Sequence, residues 1–277
     1  MNAPGGEMRW GSGVFVSVLG LVYLLPLVWI ALTAFKSDRD VLSRPNALVF
    51  TPTLDAFSDV IDVASTSVLT SLKIAVLTTV LVLVVAVPAA YALARRVTSR
   101  WATTSAVLLG FFLVLQMVPQ PMAVIPLYGI LADWRLVGSL TGLVLADVAL
   151  LVPFGLLLLR PFVLAIPDEV FEAAQIDGAS GLRTFVGIVV PLMVNGIATV
   201  GAIVFIIAWG EFIYATTLLT DPRELPVSGL LAQQTSLYSV SWNRLMTLAL
   251  LTSLPLLLVF LLAKRRLVEG LSVGAVK

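Results

Sequence analysis

The sequence predicts an all-α polytopic membrane protein with six transmembrane helices and both termini on the cytoplasmic side. Three observations carry this prediction. The chain of 277 residues is 59% hydrophobic and only 12% charged, with a mean hydropathy of +1.04, whereas an ordinary soluble domain is about 45–50% apolar and about 25% charged. Its apolar residues gather into six stretches long enough for a bilayer core, which needs roughly 20 residues per helix. Its Lys and Arg residues favour the loops on one side of that ladder, and this bias sets membrane orientation.

The same totals exclude several classes. Even a soluble domain of about 300 residues leaves roughly a quarter of its surface in water, so this composition excludes a soluble enzyme, a disordered chain and a fibrous repeat. The net charge of +1 provides no basic field for nucleic acid, which is excluded as a partner. The chain has no Cys and no His, which rules out disulfides, thiol chemistry, zinc sites with those ligands and His-based triads.

The six expected spans are Val14–Phe35, Val68–Ala94, Ala102–Leu131, Val137–Leu164, Val186–Leu219 and Leu245–Ala263. The first is read as a retained helix rather than a signal peptide, because its apolar run is too long and no small-residue cleavage site precedes Phe35-Lys36. Pro26, Pro88, Pro119, Pro121, Pro126 and Pro153 lie in or near spans, where bundles tolerate the missing N–H. The link Arg95-Arg96-Val97-Thr98-Ser99-Arg100 holds no acid, and Lys264-Arg265-Arg266 opens the C-terminus, so both lie inside. Trp10 and Trp101 then fall at the inner interface and Trp29, Trp134 and Trp242 at the outer one, as amphipathic rings do at headgroup level. Trp209 is the exception, inside the fifth span.

Residues Lys36–Ser67 form a long outer loop. Within it Thr53 suits an N-cap, and Leu54, Phe57 and Ile61 share one helical face while Asp55, Asp59 and Asp62 share another. This pattern predicts a short helix on the outer surface, its acidic side solvated or offered to an external partner. Domain organisation follows: 1–66 carries the first span and outer loop, 67–263 the transmembrane core, and 264–277 a cytoplasmic tail.

The most informative loop, about 167–181, reads Pro167-Asp168-Glu169-Val170-Phe171-Glu172-Ala173-Ala174-Gln175-Ile176-Asp177-Gly178-Ala179-Ser180-Gly181 and lies on the cytoplasmic side. Pro167 suits a helix start, Asp168 and Glu169 complement the positive N-terminus of the helix, and Gly178 suits the left-handed residue after the last turn. A helix of about ten residues is unstable alone and must pack against something.

This loop resembles the EAA loop of type I ABC importer permeases. That signature runs EAA, three residues, G, nine residues, I, one residue, L, P. Here it reads Glu172-Ala173-Ala174, then Gly178, then Ile188-Val189-Val190-Pro191, with Val190 where Leu is usual. Asp177-Gly178-Ala179 matches the DGA that commonly accompanies it. Nearly the whole chain resembles the carbohydrate-type permeases of the maltose-transporter inner-subunit kind: the Phe35-Lys36-Ser37 exit, the long outer loop, Ala208-Trp209-Gly210-Glu211-Phe212 and the terminus Gly274-Ala275-Val276-Lys277. The family usually has Asn where Gly210 stands, and a final Gly that is absent here.

The resemblance implies the type I ABC importer permease fold in a bacterial inner (plasma) membrane. It implies three partners besides membrane lipid: a second homologous permease subunit, a homodimeric cytoplasmic ATPase, and an extracytoplasmic solute-binding protein. The EAA helix would dock in the ATPase, with Glu172, Ala173, Ala174, Asp177, Gly178, Ala179 and Pro191 forming or shaping that contact, and Gly274–Lys277 would reach between the ATPase subunits. ATP and magnesium would belong to the ATPase; this chain is expected to hold no cofactor and to catalyse nothing, since the Gly-Lys of a P-loop never occurs.

Charge inside a bilayer costs at least about 2.5–3.5 kcal/mol and marks candidate pathway positions. Asp147 in the fourth span and Glu211 in the fifth are such positions, with Gln116 and Trp209 beside them as groups suited to a hydroxyl-rich solute. Asn195 sits nearer the inner face and suits a structural role. Within the family, a sugar or oligosaccharide is the expected cargo and a glycerophosphate-type solute the alternative. An ion-driven secondary transporter would show similar halves, which the sequence lacks. A membrane-embedded enzyme would cluster catalytic groups, but Asp147 and Glu211 are the clearly embedded acids.

Overall fold

The computed structural model describes residues 7–95, 98–234 and 240–273, which are almost entirely helical. Helix α1 spans Glu7–Ala34, α2 Asp38–Ser43 and α3 Asp55–Ala94. Helix α4 spans Ser99–Gln116, α5 Gln120–Asp133 and α6 Leu140–Leu164. Then follow α7 Asp168–Ile176, α8 Gly181–Thr184, a π-helical turn Phe185–Val189, α9 Val190–Leu192 and α10 Val194–Trp209. Helices α11 Ile213–Leu218, α12 Val227–Gln233 and α13 Trp242–Val273 complete the order.

Among the described residues, Gly13–Ala34, Asp55–Ala94, Leu140–Leu164 and Trp242–Leu261 are each long and apolar enough to cross a bilayer unbroken. The count reaches six only if each of two bent pairs is one span, so the third and fifth expected spans are each broken by a sharp bend. Helices α4 and α5 meet at 102°. Pro119 occupies the N-cap of α5 and Pro121 its first turn. Each proline lacks an N–H and pushes the residue before it out of the α region, so α4 cannot continue. The other pair, Gly181–Leu192 and Val194–Trp209, bends by 72°. Pro191 cannot donate there, and the chain widens just before it, Val190 donating its N–H to the carbonyl of Phe185, five residues back.

The outer loop also differs from expectation. Asp55 begins a 40-residue helix that runs unbroken into the second span. The carbonyl of Leu54, not the Thr53 side chain, takes up the first N–H groups, from Phe57 and Ser58. Its buried face is Ala56, Val60 and Ala64, while Leu54 and Ile61 are exposed. Small residues at this helical spacing let the backbone approach its neighbours closely, which the larger side chains would prevent.

The chain divides into two compact units, one formed by 1–65 with 231–254 and the other by 66–230 with 255–277. In the first, Lys36 is almost fully buried. Its Nζ donates to the Pro45 carbonyl at 2.7 Å and lies 5.4 Å from the Trp29 ring centroid and 5.3 Å from that of Phe50. A carbonyl and two π faces thus offset the loss of water around the ammonium. The Phe35 and Phe57 rings pack tilted with centroids 4.8 Å apart, and Arg244 pairs with Asp59 at 2.6 Å. In the second unit, α6 packs against α4 and α10, and α11 packs against α5 and α6. Ile74, Leu131, Leu143, Tyr214 and Leu218 form part of its core. Gly196 makes one close approach possible, since a Cβ there would fall 2.5 Å from Cγ of Phe162.

Candidate functional site

Helix α7 starts at Asp168 behind Pro167, with Asp168 and Glu169 in its first turn. It ends in a Schellman closure: Gly178 donates to the carbonyl of Gln175 at 3.0 Å and Ala179 to that of Ala174 at 2.9 Å. Gly178 has φ +68°, a conformation an L side chain resists. Phe171 and Ala174 point inward and are buried. The Phe171 ring sits 6.3 Å from that of Tyr91, and the Arg95 guanidinium carbon lies 4.4 Å from its centroid. Tyr91 also meets Phe185 at 5.3 Å, which joins α3, α7 and the π-helical turn in one aromatic cluster.

Of the residues expected at this loop, Glu172, Ala173, Asp177 and Gly178 are exposed, Ala179 is half-buried, and Pro191 is exposed farther on. Ala174 faces its own chain, so the outward surface is Glu172 and Ala173 with Ile176, which is 87% exposed. Gly274, Ala275, Val276 and Lys277 lie outside the described residues.

Asp147 on α6 is 1% exposed and its Oδ2 has no hydrogen-bond partner among the described residues. Glu211 lies in the break between α10 and α11, nearly buried, and its Oε1 accepts the Tyr214 N–H at 2.8 Å. The Ser228 hydroxyl donates to the Glu211 carbonyl. The two carboxylates are within electrostatic reach of each other and of the fully buried Tyr214, whose hydroxyl is likewise unpartnered among the described residues. Folding therefore gathers Asp147, Glu211 and Tyr214.

Gln116 bridges α4 to α6, its Nε2 donating to the Leu150 carbonyl at 3.2 Å, and shares a cavity of about 250 Å³ with Tyr214, Leu127 and Pro153. Trp209 is buried and stacks on Phe205 at 5.9 Å. Asn195 is exposed. Sequence reasoning missed Tyr214, whose only signal is its place three residues after Glu211. It also missed Phe171 as the residue that seats α7.

Comparison with known proteins places these features in context. The family described as "Binding-protein-dependent transport system inner membrane component" matches residues 86–273. The chain is 33% identical over 266 residues to the "Probable ABC transporter permease protein y4oR" of Sinorhizobium fredii, covering 95% of this chain and 94% of the relative. It is 31% identical to the "Diacetylchitobiose uptake system permease protein DasC" of Streptomyces coelicolor, again with 95% and 94% covered. A chain of a solved bacterial ABC transporter involved in the import of the acidic polysaccharide alginate superposes with a TM-score of 0.79 at 19% identity, covering 96% of this chain and 99% of that one.

Proposed function

The chain belongs to the family of binding-protein-dependent transport system inner membrane components, and from that premise we propose that it forms half of the translocation pathway for a sugar or oligosaccharide. A second permease subunit supplies the other half, and an external binding protein delivers the solute. A homodimeric cytoplasmic ATPase, which holds ATP and magnesium, drives the cycle. The carbohydrate class is supported by the diacetylchitobiose uptake permease, a relative along nearly the whole chain.

The observation that carries the coupling role is the construction of α7. The helix is closed at its C-terminal end by the Gly178 turn and seated on Tyr91 through Phe171, while Glu172, Ala173 and Ile176 are exposed on its other side. A short helix anchored on one face passes a partner's rigid-body shift to the helices beneath it. Asp147, Glu211, Trp209 and Gln116 are the groups assigned to the pathway or its wall. Buried intramembrane carboxylates suit a hydroxyl-rich cargo. The tail 274–277 is assigned to the ATPase interface.

The test is co-expression with the ATPase of the same system, then affinity purification and ATP-dependent uptake of chito-oligosaccharides in proteoliposomes. Glu172→Arg is expected to leave the chain folded and to cut ATPase recovery by about tenfold or more, because reversing a contact charge turns attraction into repulsion. Undiminished recovery and transport would remove the docking role of α7, while uptake without ATP would remove the importer reading itself.

A further inference from the structure

Beside α7 is a cavity of about 430 Å³ whose lining includes Tyr91, Arg95, Trp101, Phe171, Gln175 and Thr184. Its chemistry is one-sided. Arg95, Gln175 and Thr184 supply donors, three aromatic rings supply the walls, and no acid lines it among the described residues. Arg95 makes no ion pair among the described residues; its guanidinium rests on the Phe171 ring, which leaves the edge N–H groups of the fork free. The acids of α7, Asp168, Glu169 and Glu172, and Asp177 just after its end are exposed and outside the lining.

Position adds a second constraint. The cavity lies where α3 ends and α4 begins, at the polar ends of two apolar helices. Trp101 donates its Nε1–H to the Ala92 carbonyl at 3.0 Å, which holds the indole across the gap between those helices. A Trp and an Arg at the end of a span mark headgroup depth, and basic pockets between helices at that depth suit anionic lipid.

We propose that this cavity binds the phosphate of an anionic phospholipid, with Arg95 as the charged contact, Gln175 and Thr184 as further donors, and the aromatic walls against the glycerol and upper acyl carbons. A lipid held there touches both α3 and α7, so it joins the loop helix to the membrane. This inference does not depend on the ATPase contact.

The test uses the full chain in nanodiscs of phosphatidylcholine with about one-fifth phosphatidylglycerol, followed by native mass spectrometry of lipids retained on release. The expected result is one phosphatidylglycerol retained selectively. Arg95→Gln should lower that selectivity by about tenfold, the scale of a charge-assisted contact, and Arg95→Lys should restore part of it. Arg100→Gln, an exposed neighbour outside the cavity, should change nothing. Thr184→Val should weaken retention less and provides a second reading if Arg95→Gln proves unstable. Equal retention of both lipids by the unaltered chain would overturn the proposal. So would selectivity that persists in Arg95→Gln, and so would displacement of the lipid by millimolar inorganic phosphate, which would identify a free-anion site instead.

Discussion

The backbone N–H of Tyr214 donates to Oε1 of Glu211 at 2.8 Å, so one carboxylate ties off the start of α11. The acid therefore has a structural duty in addition to any contact with solute. Glu211→Gln keeps an acceptor oxygen at the same place, and Glu211→Ala removes it. We expect Glu211→Ala to lose about 1 kcal/mol, the usual cost of a lost N-terminal cap, and Glu211→Gln to lose little of this. Thermal unfolding in detergent separates the two. If uptake falls in both variants while stability falls only in the first, the carboxylate charge itself serves transport.

Gly178 is the position where any side chain meets backbone resistance. Gly178→Val places a β-branched residue at φ +68°, at a cost of at least about 1–2 kcal/mol. The closure through Gln175 and Ala174 should open. Limited proteolysis between residues 176 and 182 is expected to accelerate while α6 and α10 stay protected. Unchanged cleavage would show that α7 holds its end without this turn.

Lys36 is a buried cation satisfied by the Pro45 carbonyl and two rings. Lys36→Ala removes all three contacts and leaves the carbonyl unpaired, a penalty of about 1–3 kcal/mol. Lys36→Met restores the stem volume but not the charge and should recover only the packing share. The difference between their unfolding midpoints measures what the ammonium contributes.

Gly196 and Phe162 form a pair in which one is small because the other is large. Gly196→Ala should destabilise by about 1–3 kcal/mol through overpacking. Adding Phe162→Leu should return part of that loss, so the two changes should be non-additive. Strict additivity in unfolding midpoints would mean that the ring does not crowd this glycine.

Much of the fold was legible because a bilayer demands long apolar runs, and those runs are visible without knowing what packs on what. The ends of α7 were also legible, since Pro167 and Gly178 act locally. The breaks were not: apolar runs flank Gln116–Pro121 on both sides, and a proline such as Pro88 lies inside an unbroken helix, so Pro119 and Pro121 do not by themselves announce a corner. Helix α2 was missed although Ser37 accepts the Asp40 N–H, a local cap signal at three-residue spacing. The inward role of Ala174 and the seat of Phe171 depend on Tyr91 and Arg95, some eighty positions earlier, and no pattern in the loop itself reports them. The gathering of Asp147 with Glu211 and Tyr214 is likewise a product of α6 packing on α11.

The corner between α4 and α5 has a consequence for hydration. A chain that turns through 102° interrupts the regular helical ladder, although Met117 and Val118 still donate to Val114 and Leu115, and hydrocarbon offers no partner to any backbone group left over. At about 1.5 Å per residue, the 14 residues of α5 reach only about 21 Å, short of the roughly 30 Å that separates the headgroup layers. This stretch therefore cannot be walled by acyl chains on every side. Its open backbone must meet water or another polypeptide, so the membrane is locally wet or locally protein where the chain turns.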